Sequence, residues 1–569
     1  MNKLSNIFKT SGILPIFLSF LCLSACSNDG SVRSINEFGV VPDTGADVTA
    51  SFRSALEECK KSGVDTLKLA PGRYDFWPEN AVKREIFISN TSSEVECPSK
   101  VKTLGILVEN QDGLTIDGCG AELIFHGKMT MISTIHSKNI TFKNLDIDCV
   151  RPAGSELVVE NIEPGHVTVR FKPDSWYSID DEGHLELVGE GWKTEHPFCV
   201  EFDPLTEYLT NSDCWDILDE SRAVELEPQL VRFDVQDTDM FTVGNILAVR
   251  DHYRDEVGIL NLESEGVTFR NVGIHYMHAI GAISQFSRDI TYDHVNCEPK
   301  EGSGRIVASS ADFLHFSGCA GKVRVLDCRF SGAHDDPINV HGTYLRIDEK
   351  PSPKELKLRF MHHQTYGMQA FWKGDTISFV NSASLQTKSY GVVEDVRALS
   401  DREVLLTLKD EVPGDIVPIE DFVENLTWTP EVEIRGCRFT RTSTRGTLVT
   451  TPRKVVIAGN EYIRTGMSAI YISGDASDWY ESGAVKDVTI SGNRFIDCSF
   501  CDGRKRAVIF IDPTNKVIDP LHPVHTGIKI TGNYFETFGT APFDSKSAEV
   551  SMEDNEIVST GHALIISGI

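Results

Sequence analysis

The sequence predicts an all-β fold, a right-handed parallel β-helix with small antiparallel β-barrel regions inserted between its turns. Three observations predict it. An eight-residue pattern recurs along the chain, many neighbouring copies begin 22 to 26 residues apart, and the sixth position of the pattern is repeatedly asparagine or cysteine. A regular internal period of this length is typical of a solenoid, in which each repeat packs against its neighbours.

The repeat reads apolar-x-apolar-x-x-(Asn or Cys)-x-apolar. Its clearest copies begin at Val323, Val432, Val455, Val488, Ile528 and Val550, and looser copies begin at Leu114, Ile140, Val267 and Ile290. Alternating apolar positions direct the side chains of a short strand to one face, here the interior. The longer spacings of 33 and 40 residues after Val455 and Val488 indicate one turn plus a loop. A leucine-rich repeat, the alternative solenoid, would need regular leucines and helical segments that this sequence lacks.

The polar position of the repeat predicts a second feature. Asn460, Asn493, Asn533 and Asn555 occupy it in the last four copies, and glycine precedes the first three of them. Glycine permits a tight turn with positive φ. Because stacked strands lie about 4.8 Å apart, we expect these asparagines to form a hydrogen-bonded ladder. The apolar or aromatic residue two positions later should enter a core stack.

Residues 31–149 are expected to contain an N-terminal cap and the first turns of the helix. The stretch from Phe52 to Cys59 has the apolar spacing of a helix, and a short strand-like segment from Leu67 to Tyr74 follows it. This arrangement resembles the cap of pectin-lyase-like β-helix proteins. Such a cap covers the unpaired strand edges of the first turn.

Two segments, residues 150–262 and 343–430, lack the asparagine motif and contain alternating strands such as His166–Phe171 and Glu403–Leu408. We interpret both as β-barrel-like insertions. Residues 263–342 are then the central turns that carry the catalytic site, and residues 431–569 are the C-terminal turns. The two insertions leave the helix after separate turns, and they can meet in space.

The first 25 residues read as an export signal rather than as part of the fold. Lys3 and Lys9 precede a short apolar stretch, which ends in Leu23-Ser24-Ala25-Cys26. This ending resembles a bacterial lipobox, in which the cysteine becomes the lipidated first residue of the mature protein. We therefore expect an exported lipoprotein anchored through Cys26 to a bacterial membrane, in particular the outer membrane. A plain signal peptide is the alternative.

Charge and cysteine content narrow the possible partners. The formal net charge of -29 argues against nucleic acid as a partner. Of the 14 cysteines, 12 follow Cys26, and several occupy repeat positions where they would be buried thiols. The single Cys-x-x-Cys, Cys498 to Cys501, has no second pair at zinc-binding spacing, so no metal or other cofactor is expected. The sequence leaves the oligomeric state open.

Acidic residues gather at one place in the central turns. Asp312 and His315 precede the segment His334-Asp335-Asp336-Pro337-Ile338-Asn339-Val340-His341, and Asp312 to Asp335 is 23 residues, one regular turn. The carboxylates should therefore stack on one face. Hydrolysis of a glycosidic bond needs two carboxyl groups flanking that bond, and crowding raises the pKa of one of them.

We expect Asp312, Asp335 and Asp336 to supply the acid and the base, and His315, His334, Asn339 and His341 to bind sugar hydroxyls. The alternatives are turn aspartates that bind backbone amides and a histidine-containing metal site. Both aspartates of the 335–336 pair reach one substrate only if a bend lies there, because successive side chains of a strand point to opposite faces.

The stretch from Asp312 to Cys319 and the stretch from His334 to Gly342 resemble glycoside hydrolase family 110. The export signal, the cap and the interrupted helix fit as well, so the resemblance covers nearly the whole mature chain. It implies an exo-acting, inverting α-1,3-galactosidase that needs no metal, with blood group B-type or linear α-1,3-galactosyl glycans as substrates. The candidate catalytic carboxylates of the family map onto Asp312, Asp335 and Asp336.

Two other functions remain open at this point. A polysaccharide lyase or polygalacturonase-like enzyme would act on uronic acids, with a nearby arginine (Arg305, Arg324 or Arg329) as the base of a lyase. A non-catalytic glycan-binding adhesin would use aromatic side chains such as Trp372, Trp479 and Tyr480.

Overall fold

The computed structural model describes residues 31–560, so the predicted export signal and Cys26 lie outside the described residues. The chain forms a parallel β-helix of three sheets, as the repeat predicts. Within residues 31–560, no helix is both long and apolar enough to cross a membrane.

The first two sheets are formed by the two halves of each repeat. Four long strands run from the first sheet into the second: Asp112–Phe125, Lys138–Cys149, Thr268–Ile274 and Arg288–Cys297. The other strands of the first sheet are Val32–Ser34, Thr66–Lys68, Ala320–Leu326, Glu431–Arg435, Lys454–Ala458, Asp487–Ser491, His525–Thr531 and Ala548–Glu553. Those of the second sheet are Gly72–Phe76, Arg329–Ala333, Arg438–Thr442, Glu461–Thr465, Arg494–Ile496, Tyr534–Thr537 and Glu556–Ser559.

The third sheet carries the candidate site. Its parallel strands are Val101–Glu109, Thr130–Ile135, Ile259–Leu262, Ala282–Gln285, Leu314–Ser317, Ile338–Thr343, Thr447–Val449, Ile470–Ile472, Ile509–Ile511 and Phe543–Ser545. Two antiparallel strands join it, Val82–Glu85 on Val101–Glu109 and Glu481–Ser482 on the end of Ile338–Thr343.

The turns before and after the second insertion belong to one continuous helix, as predicted. Val323 pairs in parallel with Val432, Phe330 with Phe439, and Ile338 with Thr447. The 88 residues between positions 342 and 431 therefore interrupt the sequence without interrupting the stacking of the turns.

The predicted ladder and core stack are both present. Asn493 Nδ2 donates to Asn533 Oδ1 at 2.9 Å, and Asn533 Nδ2 donates to Asn555 Oδ1 at 3.0 Å. Gly492, just before the asparagine, has φ 62°, a conformation that glycine adopts without steric cost. The aromatic rings that follow stack with centroids 4.4 to 5.2 Å apart: Phe330, Phe439, Tyr462, Phe495 and Phe535.

The N-terminal cap contains the helix Thr49–Ser62, which buries Phe52, Leu56 and Cys59 against the first turns. Short 3-10 helices occur at Ile35–Phe38, Pro78–Asn80 and Asp502–Arg504. Most of the 12 cysteines of the described residues are buried, as expected.

The first insertion differs in two ways from the predicted barrel of residues 150–262. It is an open seven-stranded antiparallel sheet: Tyr208–Asn211, Pro197–Asp203, Ile246–Asp251, Gly154–Glu163, His166–Phe171, Leu230–Asp234 and Arg222–Glu227. One edge strand lies against the β-helix, where Tyr208 Oη donates to Asp497 at 2.5 Å and the ring stacks on Phe500. Residues 259–262 belong to the β-helix, because Ile259 pairs in parallel with Ile132 and Ala282.

Smaller elements complete the first insertion. These are the strands Tyr177–Ile179, Leu185–Gly189 and Trp192–Lys193 and the helix Cys214–Asp219. The second insertion closes into a six-stranded barrel, as predicted: Leu345–Ser352, Glu355–Phe360, Glu403–Leu408, Thr387–Ala398, Thr376–Asn381 and Asp421–Asn425. Its apolar core extends onto the β-helix through Phe286, which packs against Trp372 and Trp428.

Candidate active site

The three predicted aspartates lie at the start of neighbouring strands of the third sheet. Leu314 pairs with Ile338, an offset of 24 residues, so Asp312 is level with Asp336 and not with Asp335 as the 23-residue spacing suggested. The chain bends around Asp335, before Pro337. The sequence predicts that both aspartates reach one substrate only if the chain bends here. The bend allows both Asp335 and Asp336 to reach one cleft.

That cleft has a volume of about 350 Å³ when the open solvent at its mouth is included. It is lined by Asn90, Arg254, Asp312, His315, Asp335, Asp336, Asn339, Arg445, Leu448, Trp479 and Glu481. The structure thus brings together the three predicted carboxylates, His315 and Asn339. It adds two arginines and a glutamate that the sequence had not indicated.

Each aspartate of the adjacent pair has its own arginine. Arg445 Nε donates to Asp336 Oδ1 at 2.8 Å, and the backbone N–H of Arg445 donates to the same oxygen at 3.2 Å. Arg254 donates to Asp335 Oδ2 at 2.8 Å. Asp336 is almost fully buried, whereas the Asp335 side chain retains 24% of its exposure. The two neighbours therefore occupy different electrostatic environments.

Burial changes the acidity of two of the carboxyl groups. It raises the pKa of Asp336 to about 7, with Arg445 opposing the shift and Asp335 adding to it. Burial, and then the charge of Asp335, raise the pKa of Asp312 well above its ordinary value. The loss of hydration on burial is the main physical cause, because it disfavours the charged form of each group, and the neighbouring carboxylates add to it.

A hydrogen-bonded chain runs behind Asp312. Asp312 Oδ2 lies 2.7 Å from His315 Nδ1, His315 Nε2 lies 2.8 Å from His341 Nε2, and His341 Nδ1 lies 2.7 Å from the carbonyl oxygen of Gly342. Burial lowers the pKa of His315 to about 4 and also lowers the pKa of His341, so both rings are neutral at neutral pH.

The carbonyl end fixes the direction of this chain. A carbonyl oxygen only accepts, so His341 carries its proton on Nδ1 and its Nε2 must accept. His315 then donates from Nε2, which leaves its Nδ1 as an acceptor. The proton between His315 and Asp312 consequently comes from the carboxyl group. Asp312 is thus a neutral carboxylic acid, in agreement with its raised pKa.

The histidine predictions need correction. All ring nitrogens of His315 and His341 are used within the chain just described, so these residues support Asp312 and do not bind sugar hydroxyls. His334 does not line the cleft: its ring is buried, and both of its nitrogens lack a hydrogen-bond partner. Asn339 lines the cleft, and its buried Oδ1 has no hydrogen-bond partner among the described residues, so its predicted role stays a prediction.

Loops close the cleft from several directions. Asn90 donates from Nδ2 to Glu481 Oε1 at 2.9 Å, its carbonyl accepts from Arg254 at 3.2 Å, and its backbone N–H donates to Thr365 of the second insertion. Trp479 stacks on His362, also of the second insertion, at 4.3 Å. The insertions and the β-helix therefore build the cleft together.

The residues that a lyase or a glycan-binding adhesin would use lie outside the cleft, with one exception. Arg305 is paired with Asp148 at 2.9 Å, and none of Arg305, Arg324 and Arg329 lines the cleft. Trp372 packs inside the barrel core, and Tyr480 packs against Phe422. Trp479 alone among the proposed aromatic platforms lines the cleft.

Among the cleft residues that we did not predict from the sequence, Arg445 could have been predicted from the repeat. The repeat copies at Val323 and Val432 are 109 residues apart, and the same offset carries Asp336 to Arg445. Arg254, Asn90 and Glu481 had no such signal, because they lie in segments outside the repeat whose positions depend on tertiary packing.

Comparison with known proteins agrees with the positions of the two insertions in the chain. Residues 155–247 match the family GLAA-B beta-barrel domain I, and residues 355–421 match GLAA-B beta-barrel domain II. Alpha-1,3-galactosidase A of Bacteroides fragilis is 48% identical over 557 residues, which cover 98% of this chain and 92% of that protein. The chain belongs to the alpha-1,3-galactosidase family.

More distant members of the alpha-1,3-galactosidase family also match along most of their length. Alpha-1,3-galactosidase B of Bacteroides thetaiotaomicron is 34% identical over 532 residues, covering 91% of this chain and 84% of that protein. Among solved structures, an exopolygalacturonase from Thermotoga maritima is similar, with a TM-score of 0.38 and 12% identity, covering 92% of this chain and 91% of that one. This structural likeness is too distant to bear on the reaction.

Proposed function

We propose that the chain is an exo-acting, inverting α-1,3-galactosidase of glycoside hydrolase family 110. Its substrates would be blood group B-type or linear glycans that end in α-1,3-linked galactose. Membership of the alpha-1,3-galactosidase family supports the reaction, because relatives that bear this name match over nearly the whole chain.

The observation that carries the proposal is the contrast between the two adjacent aspartates. Asp336 has a pKa of about 7 and forms both of its bonds to Arg445 through Oδ1, which leaves Oδ2 for a proton. Asp335 is ion-paired with Arg254. A glycosidase needs a protonated acid and an ionised base in one site. We assign the acid to Asp336 and the base to Asp335.

Asp312 is the third carboxyl group of the proposed machinery. As a neutral acid held by His315, it contacts the substrate or the attacking water without adding another negative charge to the cleft. Asn339 Oδ1 would accept a hydrogen bond from a sugar hydroxyl. Inversion requires that water attacks the anomeric carbon opposite the leaving oxygen while the acid protonates that oxygen.

The form of the cleft supports action on a chain end. Asn90, Arg254 and Trp479 close it from loops, and Glu481 closes it from the short antiparallel strand Glu481–Ser482. An open groove would suit the interior of a polymer, whereas a closed cleft suits a single terminal sugar. Both arginines of the cleft are occupied by aspartates, which disfavours recognition of uronic acid carboxylates.

Incubation of the purified protein with linear and fucose-branched α-1,3-galactosyl oligosaccharides tests the activity. Galactose should be the only monosaccharide released, and the remaining glycan should be shorter by one residue. Release of internal fragments, or an unsaturated product that absorbs ultraviolet light, would contradict the proposal. The relative rates on the two substrates would establish the preference for branching.

We also propose that the protein is exported and anchored to the outer membrane through a lipid on Cys26. The lipobox-like sequence Leu23-Ser24-Ala25-Cys26 supports this proposal. Radiolabelled palmitate should be incorporated into the wild-type protein and not into Cys26→Ser, and the variant should leave the membrane fraction. Equal labelling of the two proteins would contradict the anchor.

A further inference from the structure

A second cleft, which the proposed chemistry does not use, lies between the N-terminal turns and the first insertion. Its volume is about 1290 Å³ when the open solvent at its mouth is included, and its lining residues include Trp77, His126, Lys128, Glu190, Trp192 and Asp255. It thus combines two indole rings with several charged side chains. Ligand sites typically have this composition, aromatic walls with a few polar groups.

The aromatic part of the cleft is fixed in place. Trp77 is half-buried and stacks on His126 at 3.7 Å with nearly parallel rings. His126 is in turn held between Asp75 Oδ1 at 3.0 Å and Glu190 Oε1 at 2.7 Å. The indole N–H of Trp192 is buried and has no hydrogen-bond partner within residues 31–560. A rigid indole face packs well against the C–H face of a sugar ring, because both are amphipathic and little side-chain entropy is lost.

The polar groups suit neutral hydroxyls. Lys128 Nζ lies 3.2 Å from Asp255, and the side chain of Glu190, which contacts His126, is partly exposed. Glu256, also in the cleft, is buried and accepts hydrogen bonds from Thr103 and Thr130. Acidic side chains outnumber the single lysine among these groups, so a sialylated or sulfated chain would be repelled. Neutral oligosaccharides are the favoured ligand class.

The β-helix register relates this cleft to the active site. Ile132 pairs with Ile259, Ile259 with Ala282, and Ala282 with Leu314. Thr130 therefore lies three turns before Asp312 at the same position of the third sheet. At about 4.8 Å per turn the separation is roughly 14 Å, the length of a short oligosaccharide. Asp255 also directly follows Arg254, which lines the catalytic cleft.

We infer that this second cleft, the distal cleft, binds neutral sugar residues on the reducing-end side of the galactose to be removed. The inference rests on the proposed function, since it names where the rest of the same glycan lies. A long acceptor chain would then contribute binding energy that a disaccharide cannot.

The test compares kcat/KM on α-1,3-galactobiose with kcat/KM on a neutral linear glycan of five or more sugars that ends in the same linkage. The wild-type protein should prefer the long substrate at least about tenfold, as expected for a gain of about 1.4 kcal/mol. Trp77→Ala should abolish the preference while leaving the disaccharide rate unchanged. Trp77→Phe should retain the preference, and Trp176→Ala, an exposed indole outside both clefts, serves as the control.

The possible outcomes separate failure of the distal-cleft inference from failure of the proposed function. If the wild-type protein cleaves the disaccharide without any preference for length, the distal cleft is not a subsite, although the proposed function stands. If neither substrate is cleaved, the proposed function fails and this inference fails with it. If Trp77→Ala misfolds, Glu190→Gln provides the second variant, and a length preference that survives in it overturns the assignment.

Discussion

Replacement of Arg445 distinguishes the acid from the base in the cleft. Arg445→Met removes a positive charge whose Nε lies 2.8 Å from Asp336 Oδ1, while the backbone hydrogen bond of residue 445 remains. Loss of this charge disfavours the ionised form of Asp336. Its pKa therefore rises above the wild-type value of about 7.

The size of the shift follows from Coulomb's law. Two unit charges about 4 Å apart interact by about 4 kcal/mol at an effective dielectric constant of 20, and about 1.4 kcal/mol corresponds to one pKa unit. Because solvent and Arg254 compensate for part of the loss, we expect a shift of at least about one unit. If Asp336 is the acid, its protonated form persists to higher pH, and the alkaline limb of the kcat/KM profile moves upward by that amount.

The assay is the pH dependence of kcat/KM for galactose release, with Arg445→Lys as the control that keeps the charge. The alkaline limb of Arg445→Lys should stay within a few tenths of a unit of the wild-type limb. Movement of the acidic limb instead would make Asp336 the base. An unchanged profile in Arg445→Met would refute the electrostatic argument for this residue.

Three further predictions concern the machinery and the fold. Three single substitutions should each lower kcat by at least about 10², the usual effect of losing a positioned acid or base: Asp335→Asn, Asp336→Asn and Asp312→Ala. The control, Asp327→Asn in an exposed turn, should keep the wild-type kcat. Near-normal kcat in all three site variants would contradict the assignment. Asn493→Ala should lower the free energy of unfolding, measured by urea denaturation, by about 3 kcal/mol, because it leaves buried ladder partners without hydrogen bonds. Asn555→Ala, at the more exposed end of the ladder, should lower it by about 1 kcal/mol. Treatment with a chelator should leave the activity intact, and a loss that calcium restores would favour metal-dependent chemistry.

The repeat made most of the β-helix predictable, because a period-2 strand and a glycine-asparagine turn are local properties. The ladder of Asn460, Asn493, Asn533 and Asn555 and the cap helix with Phe52 and Cys59 were found where the pattern placed them. The open sheet of the first insertion was not predictable, since the alternating pattern of its strands is the same in a barrel and in a sheet whose edge packs elsewhere.

The active site was predictable only in part, because some of its residues belong to the repeat and others are brought together by tertiary packing. Asp312, Asp335 and Asp336 stood out because they gather at two neighbouring turns. The hydrogen-bonded chain of His315 and His341 behind Asp312 was not predictable, because the direction of such a chain depends on atoms that the sequence pattern does not reveal, here the carbonyl of Gly342. Arg254 reaches the cleft from a loop and Glu481 from a short antiparallel strand, so their positions depend on the assembled fold.

Proton NMR of the first product formed from a linear α-1,3-galactosyl oligosaccharide tests the central claim most directly. An inverting enzyme with Asp336 as the acid and Asp335 as the base releases β-galactose first, and the α-anomer appears later by mutarotation. The account predicts that the β-anomeric signal dominates the earliest spectra. Initial appearance of α-galactose would contradict it, because retention requires a carboxylate nucleophile in place of an activated water.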